Sequence, residues 1–348
     1  MTASLAITVC NVLLPLMLLL GVPSVSPRSN GGFPDEKSVP DTAMLTSLLY
    51  PELGEPEQDV KCSVFLEKHG RKRAQQGMAI SRRYIFSLED GGGVNVYDFR
   101  KREPEPVGRF NLASSSKDNH CNNAEFGVEK KKGAAFPLLY VSVGKPGAAI
   151  DWMCFVESVS LSEGTFSSTL EQTIRLDCSD WDDFGLKPIF GAPSFLVDRQ
   201  REVLWVFSAR KRTVAKVTTD PAENEYIATA FRIPRLSEGR EVVLTGKDVI
   251  RQVTFPFEVW FTQAGCVSDG KIFYGFGIGT DPLRPSRIRV YDTDTGRIRA
   301  RYELQGIIPW EIEDIVVRGR WMYVNTNTPS KSGVIPLIYR VSLPKTGD

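Results

Sequence analysis

Residues Gln263–Leu304 read QAGCVSDGKIFYGFGIGTDPLRPSRIRVYDTDTGRIRARYEL. The stretch resolves into four short runs of strand character, roughly Ala264–Val267, Lys271–Phe276, Arg287–Asp292 and Arg297–Leu304. Ser268-Asp269-Gly270 separates the first two, a Pro/Gly-rich loop the next two, and Asp294-Thr295-Gly296 the last two. Each break holds residues that tolerate turn geometry, so the stretch reads as four antiparallel strands joined in sequence.

The unit recurs. From Gln75 the chain reads QQGMAISRRYIFSLEDGGGVNVYDFRKREPEPVGRFNL. With Gly77 set on Gly265, Gln75 falls on Gln263, Met78 on Cys266, Tyr84-Ile85-Phe86 on Ile272-Phe273-Tyr274, and Val96-Tyr97-Asp98 close to Val290-Tyr291-Asp292. Four-strand repeats of roughly 40–50 residues are the signature of an all-β propeller. Three further starts follow. His120–Phe126 leads to PLLYVSV, WMCFVESVSL and FSSTLEQTIRL; Gly191–Val197 leads to VLWVFSA, RTVAKVTT and YIATAFRI; Glu311–Val317 leads to WMYVNTN and LIYRVSL. The last unit lacks a fourth strand, and VKCSVFL at Val60–Leu66 is spare, so it is expected to close the ring as that unit's outer strand. Five starts imply five four-stranded blades. The interval Pro234–Trp260 is either a decorated connection or a degenerate sixth blade; Thr245-Gly246-Lys247-Asp248 reads as a short helix with an N-cap, which favours the connection.

The 348 residues suit one large all-β domain, and 42% apolar with 24% charged residues is an ordinary globular composition. Forty-three basic against 42 acidic residues give no footprint for nucleic acid or an anionic membrane. Arg71-Lys72-Arg73 and Lys130-Lys131-Lys132 read as solvated turns. Met1–Ser26 carries an uncharged, Leu-rich run ending in small and Pro residues, expected to be a signal peptide or an N-terminal anchor. Residues 27–57 read as a flexible tether and 58–345 as a single propeller domain. The expected protein is therefore exported (periplasmic, at the cell surface or secreted), monomeric, and touches a membrane only through its N-terminal segment. Cys62, Cys121, Cys154, Cys178 and Cys266 remain beyond that segment; with an odd count and no metal-type spacing, they read as buried free thiols.

QGMAI, HCNNAEFG with FPLLYVSV, FGAPSFLVD, and DVIRQVTFPFEVWFTQAGC followed by EIEDIVV together resemble secreted β-propeller proteins of the Bacteroides type. In that group H-x-N-N, F-P-x-L-Y-V-S, Q-G and E-x-E-G-I elements recur, and many members have no assigned activity. The resemblance spans most of Gln75–Leu343 and implies blade architecture more than chemistry. The chain departs from it at Gln263-Ala264-Gly265, where Gln-Gly is usual, and at Asp314, where glycine is. A side chain at Asp314 argues against carrying over a close ligand approach there.

Propeller ligands bind where inner strands open on the central channel. The strand starts here bring Gln75, Gln76, His120, Asn122, Asn123, Ser194, Gln263, Glu311 and Glu313. Amide and carboxylate groups of this kind hold sugar hydroxyls or a divalent cation; they serve equally to hydrogen-bond the inner-strand backbone. The function these features support is a binding or interaction module for a glycan or a surface protein, with no organic cofactor and at most a divalent cation in the channel. The alternative is a channel-sited glycan hydrolase or lactonase-type hydrolase using Glu313 and Glu125 with His120 or a bound cation. Asp180-Trp181-Asp182-Asp183-Phe184 is a candidate carbohydrate-contacting rim or an exposed connector. GxSxG, HExxH and P-loop motifs are absent.

Overall fold

A computed structural model of the chain describes residues 60–70, 73–145, 152–209, 224–257, 261–279, 281, 284–328, 330 and 332–343. The N-terminal segment and tether lie outside them. Among the described residues, twenty-one strands form five sheets arranged as five blades. Blade 1 follows the first strand, β1 (Cys62–His69), and holds β2 (Gln75–Ser81), β3 (Tyr84–Glu89), β4 (Gly93–Asp98) and β5 (Gly108–Asn111). Blade 2 holds β6 (Asn123–Phe126), β7 (Leu139–Ser142), β8 (Met153–Ser162) and β9 (Thr165–Leu176). Blade 3 holds β10 (Phe190–Asp198), β11 (Val203–Ala209), β12 (Glu225–Arg232) and, past the short edge strand β13 (Glu241–Leu244), β14 (Val249–Pro256). Blade 4 holds β15 (Thr262–Ser268), β16 (Lys271–Phe276), β17 (Arg287–Asp292) and β18 (Arg297–Glu303), within a residue or two of the expected bounds. Blade 5 holds β19 (Glu311–Arg318), β20 (Trp321–Asn327), β21 (Val334–Ser342) and, as its outer strand, β1 (Cys62–His69).

The ring closes as expected, with Cys62 opposite Val341 and His69 opposite Val334 in an antiparallel pair. The closing strand begins and ends slightly later than Val60–Leu66. Blade 3 differs from the sequence reading. There β11 pairs directly with β12, Val203 opposite Arg232, so the YIATAFRI run is the third strand and not the outer one. RTVAKVTT lies outside the described residues. The outer place goes to Val249–Pro256, paired with β12. The interval after Pro234 is thus a decorated connection as far as Asp248, and not a sixth blade. It first lays β13 parallel to β9, as a fifth strand on blade 2, and then turns through a 3-10 turn into β14. The expected cap is present: Asp248 Oδ2 accepts the Thr245 N–H at 3.0 Å.

Five apolar clusters fill the ring, one at each seam between neighbouring blades. Alternation along each strand supplies one residue set to either seam, so no blade buries its faces alone. The Tyr-Asp repeat finds its reason here. Tyr97 and Tyr291 are fully buried. The following aspartates turn the chain: Asp98 Oδ1 accepts the Arg100 N–H at 2.9 Å, and Asp292 Oδ1 accepts the Asp294 N–H at 2.9 Å. All five described cysteines are free, with Cys121, Cys154 and Cys266 inside seam clusters. Burial raises every one of these thiols, Cys62 to about 11 and Cys178 to about 12. Trp181 of the acidic aromatic loop is buried in the blade 2–blade 3 cluster and presents no rim surface. Its neighbour Asp180 instead accepts the Gly246 N–H at 2.8 Å, tying this loop to the turn before β14.

Candidate functional site

The inner strands β2, β6, β10, β15 and β19 start on one face of the ring; most of the predicted site residues lie at those starts, and Glu125 reaches the opposite mouth. They divide into a buried set bonded across the channel and a more exposed set at the face.

Asp314 is the centre of the buried set. Its Oδ2 accepts the Met78 N–H at 2.8 Å from blade 1 and the Ala124 N–H at 3.1 Å from blade 2. Its Oδ1 accepts the Asn123 side-chain amide at 3.0 Å and the Ile315 N–H at 2.8 Å. Burial pushes the carboxyl up to about 8, against the lowering effect of these donors. Asn123 also donates to Gly265 O at 2.6 Å, which adds blade 4 to the same knot. Asn122 reaches Gln263 O at 3.1 Å, and Asn325 donates to Gln76 O at 2.5 Å. Glu125, on blade 2, accepts the Val197 N–H of blade 3 and, at 3.3 Å, the Val267 N–H of blade 4. Burial drives its carboxyl well above the ordinary range, with Asp314 adding repulsion. Asn122, Asn123 and Glu125 therefore stitch inner strands together. Bulges at the starts of β2, β15 and β19 shape the same region.

At the strand-start face, Glu311 is half-buried and receives the side-chain amides of Gln263 at 2.7 Å and Asn327 at 3.3 Å. Glu313 lies deeper, 2% exposed. Burial, then the neighbouring Glu311 with which it shares a hydrogen bond, drives the Glu313 carboxyl well above the usual range. Gln75 turns aside, accepting the Ser87 hydroxyl at 2.8 Å.

His120 is placed away from both carboxylates, its Nδ1 2.9 Å from Asp90 Oδ1. Beside this pair opens a cavity of about 620 Å³ lined by Arg73, Asp90, Asn111, Ser115, Ser116 and Lys117 among others. Its walls are the approach to β2, the β3–β4 turn and the connection from blade 1 to blade 2. Those segments are pinned: Asp90 N–H donates to Ala74 O at 3.1 Å and Gly91 N–H to Asn119 O at 2.9 Å. Glu157 accepts the Ala113 and Ser114 N–H groups, each at 2.9 Å. Sequence reasoning found His120 but missed this cavity, because its wall is a connection without a repeat pattern. The trio Glu313, Glu125 and His120 is not brought together: Glu125 is bonded to two backbone amides, His120 to Asp90, and Glu313 to Glu311.

Among the described residues no group of three or more His, Cys, Asp or Glu side chains is arranged to hold a metal ion. No described helix is long and apolar enough to cross a membrane.

No protein-family model and no curated protein matches the chain. Solved structures do. A tail fiber of a Staphylococcus aureus phage is similar at a TM-score of 0.50 and 10% identity over 86% of this chain and 56% of that one. Glutaminyl cyclase of Myxococcus xanthus aligns at a TM-score of 0.42 and 13% identity over 82% of this chain and 97% of that one. The β-propeller domain of Cps50 (Swd1) from Myceliophteria thermophila aligns at 0.34 and 9% over 77% and 83%. At 10% identity the tail-fiber likeness speaks to fold alone.

Proposed function

We propose that this propeller is a binding module that takes a hydroxyl-rich ligand, such as a surface glycan, on the face where its inner strands start. The observation that carries the reading is the cavity of about 620 Å³ beside His120. Its Asn111 amide, Ser116 hydroxyl and Asp90 carboxylate supply both donors and acceptors, and Arg73 and Lys117 add charge, a combination suited to paired sugar hydroxyls. The channel itself offers less, since Asp314 and Glu125 turn their carboxyl oxygens, and Asn123 its amide N–H groups, to the inner strands.

A glycan array probed with the wild type, Asn111→Ala and Glu311→Gln is the test. Losing one sugar hydrogen bond costs about 0.5–1.5 kcal/mol, so a rim-cavity ligand binds several-fold more weakly to N111A. A ligand seated over the channel mouth weakens with E311Q instead. An array on which no glycan is retained, or on which both variants match the wild type, overturns the proposal. One observation favours hydrolysis as a second reading, namely the Glu311–Glu313 carboxyl pair with Glu313 held toward its protonated form. Release of new reducing ends from an array hit by the wild type, and not by Glu313→Gln, would shift the assignment to that activity.

A further inference from the structure

The opposite face of the ring carries a different chemistry. Where the inner strands end, a cavity of about 480 Å³ sits at the channel mouth, with contributions from all five blades. Arg82 enters from the β2–β3 turn, Lys130 from the β6–β7 connection, Arg199 from the β10–β11 turn and Arg318 from the β19–β20 turn. Four blades thus bring one basic side chain each to a single opening.

The charge there is uncompensated. Neighbouring basic groups on the same face are paired: Arg83 with Asp98 at 2.8 Å, Lys131 with Glu171 at 2.6 Å, and Arg201 with Asp294 at 2.8 Å. Arg82, Lys130 and Arg199 have no carboxylate partner among the described residues. Arg318 is held in place by donating to Arg82 O at 2.9 Å and by lying over the Phe99 ring at 4.5 Å. The acidic lining residue is Glu125, whose two oxygens are taken by the Val197 and Val267 amides and whose burial favours the uncharged form. Between the basic rim and that floor, Ile80, Val267 and Val316, each only partly buried, contribute apolar wall. Positive groups converging on an apolar throat focus the field and attract an anion more strongly than the same charges spread over a convex surface.

We propose that this mouth is a second site, for a small organic anion: a carboxylate or phosphate held by Arg199, Lys130, Arg82 and Arg318, with a compact apolar body lowered into the throat. It is independent of the glycan reading, being on the other face and made of other residues.

The test is calorimetric titration of the full propeller with benzoate, phenyl phosphate, inorganic phosphate and benzyl alcohol. Saturable binding of benzoate or phenyl phosphate, with benzyl alcohol inert, is the expected result, and the stronger of the two identifies the anionic group. Inorganic phosphate alone matching phenyl phosphate would remove the apolar throat from the proposal and overturn it. A charge-assisted hydrogen bond is worth about tenfold in affinity, so Arg199→Gln and Lys130→Gln should each weaken binding by about that factor, with unchanged thermal midpoints because both side chains are exposed. Lys132→Gln, in the same loop as Lys130 and outside the cavity lining, is the control. No saturation by either organic anion, or equal weakening by K132Q, would show only diffuse surface charge and overturn the site.

Discussion

At the residue scale the molecule turns on Asp314. The sequence shows it as an anomaly, an acid in an apolar inner strand where the resembled proteins carry glycine, but not what it does. Its partners come from Met78, Asn123 and Ala124, 190 or more positions away, and such contacts leave no local pattern. The recurring glycines were easier to see. A Cβ on Gly265 would meet Phe273 O at 1.9 Å, and one on Gly77 would meet Cys121 O at 2.6 Å, so both bulged strand starts exclude a side chain for steric reasons. Four N–H groups donate to the Asp314 carboxyl oxygens. Asp314→Asn would turn an NH₂ toward at least one of those donors and leave a buried amide unpaired, a loss of about 2–4 kcal/mol. Urea unfolding is the measure. A midpoint unchanged from the wild type would mean that the inter-blade knot contributes nothing to stability.

At the scale of elements, strands whose alternation survives on both sides were legible and those whose partners lie elsewhere were not. All four strands of blade 4 and the closing role of β1 follow from the repeat and from simple counting. Blade 3 did not yield because its outer strand, Val249–Pro256, is separated from β12 by the detour that adds β13 to blade 2. No periodicity says that a segment will leave its own blade and return. The closing strand allows a direct check. Leu66 is 1% exposed, in the seam between blades 5 and 1, and Phe65 packs on Tyr323 at 4.8 Å between ring centroids. Leu66→Ala removes buried methyl groups and opens a void, an expected loss of about 2–5 kcal/mol. If β1 were merely laid on the edge, the same substitution would shift the denaturant midpoint by less than a surface change in Val64, which is 43% exposed.

For the whole molecule, a formal charge of +1 hides local groupings: Arg82, Lys130, Arg199 and Arg318 around the mouth where the inner strands end, and the buried carboxyls Glu125, Glu313 and Asp314 inside the ring. Composition averages this away, which is why the site's electrostatics were not legible from residue counts. The same arrangement sets how stability depends on pH. Burial holds the Glu313 and Glu125 carboxyls well above the ordinary glutamate value, and raises Asp314 to about 8. The folded state therefore holds protons that the unfolded chain has already released. By linkage, the stability from these groups is fully present below the unfolded values and is lost as pH rises through the folded ones. Carboxylates held low by arginines act in the opposite window: Glu238, lowered to about 2 beside Arg232, loses its contribution only as pH falls toward that value, and as a largely exposed pair it contributes little. Thermal midpoints should accordingly fall between about pH 5 and pH 8. Glu313→Gln keeps an N–H donor toward Glu311 but has no proton to lose, so its midpoint should decline less steeply over that interval. Parallel declines in the variant and the wild type would show that Glu313 does not titrate in this range.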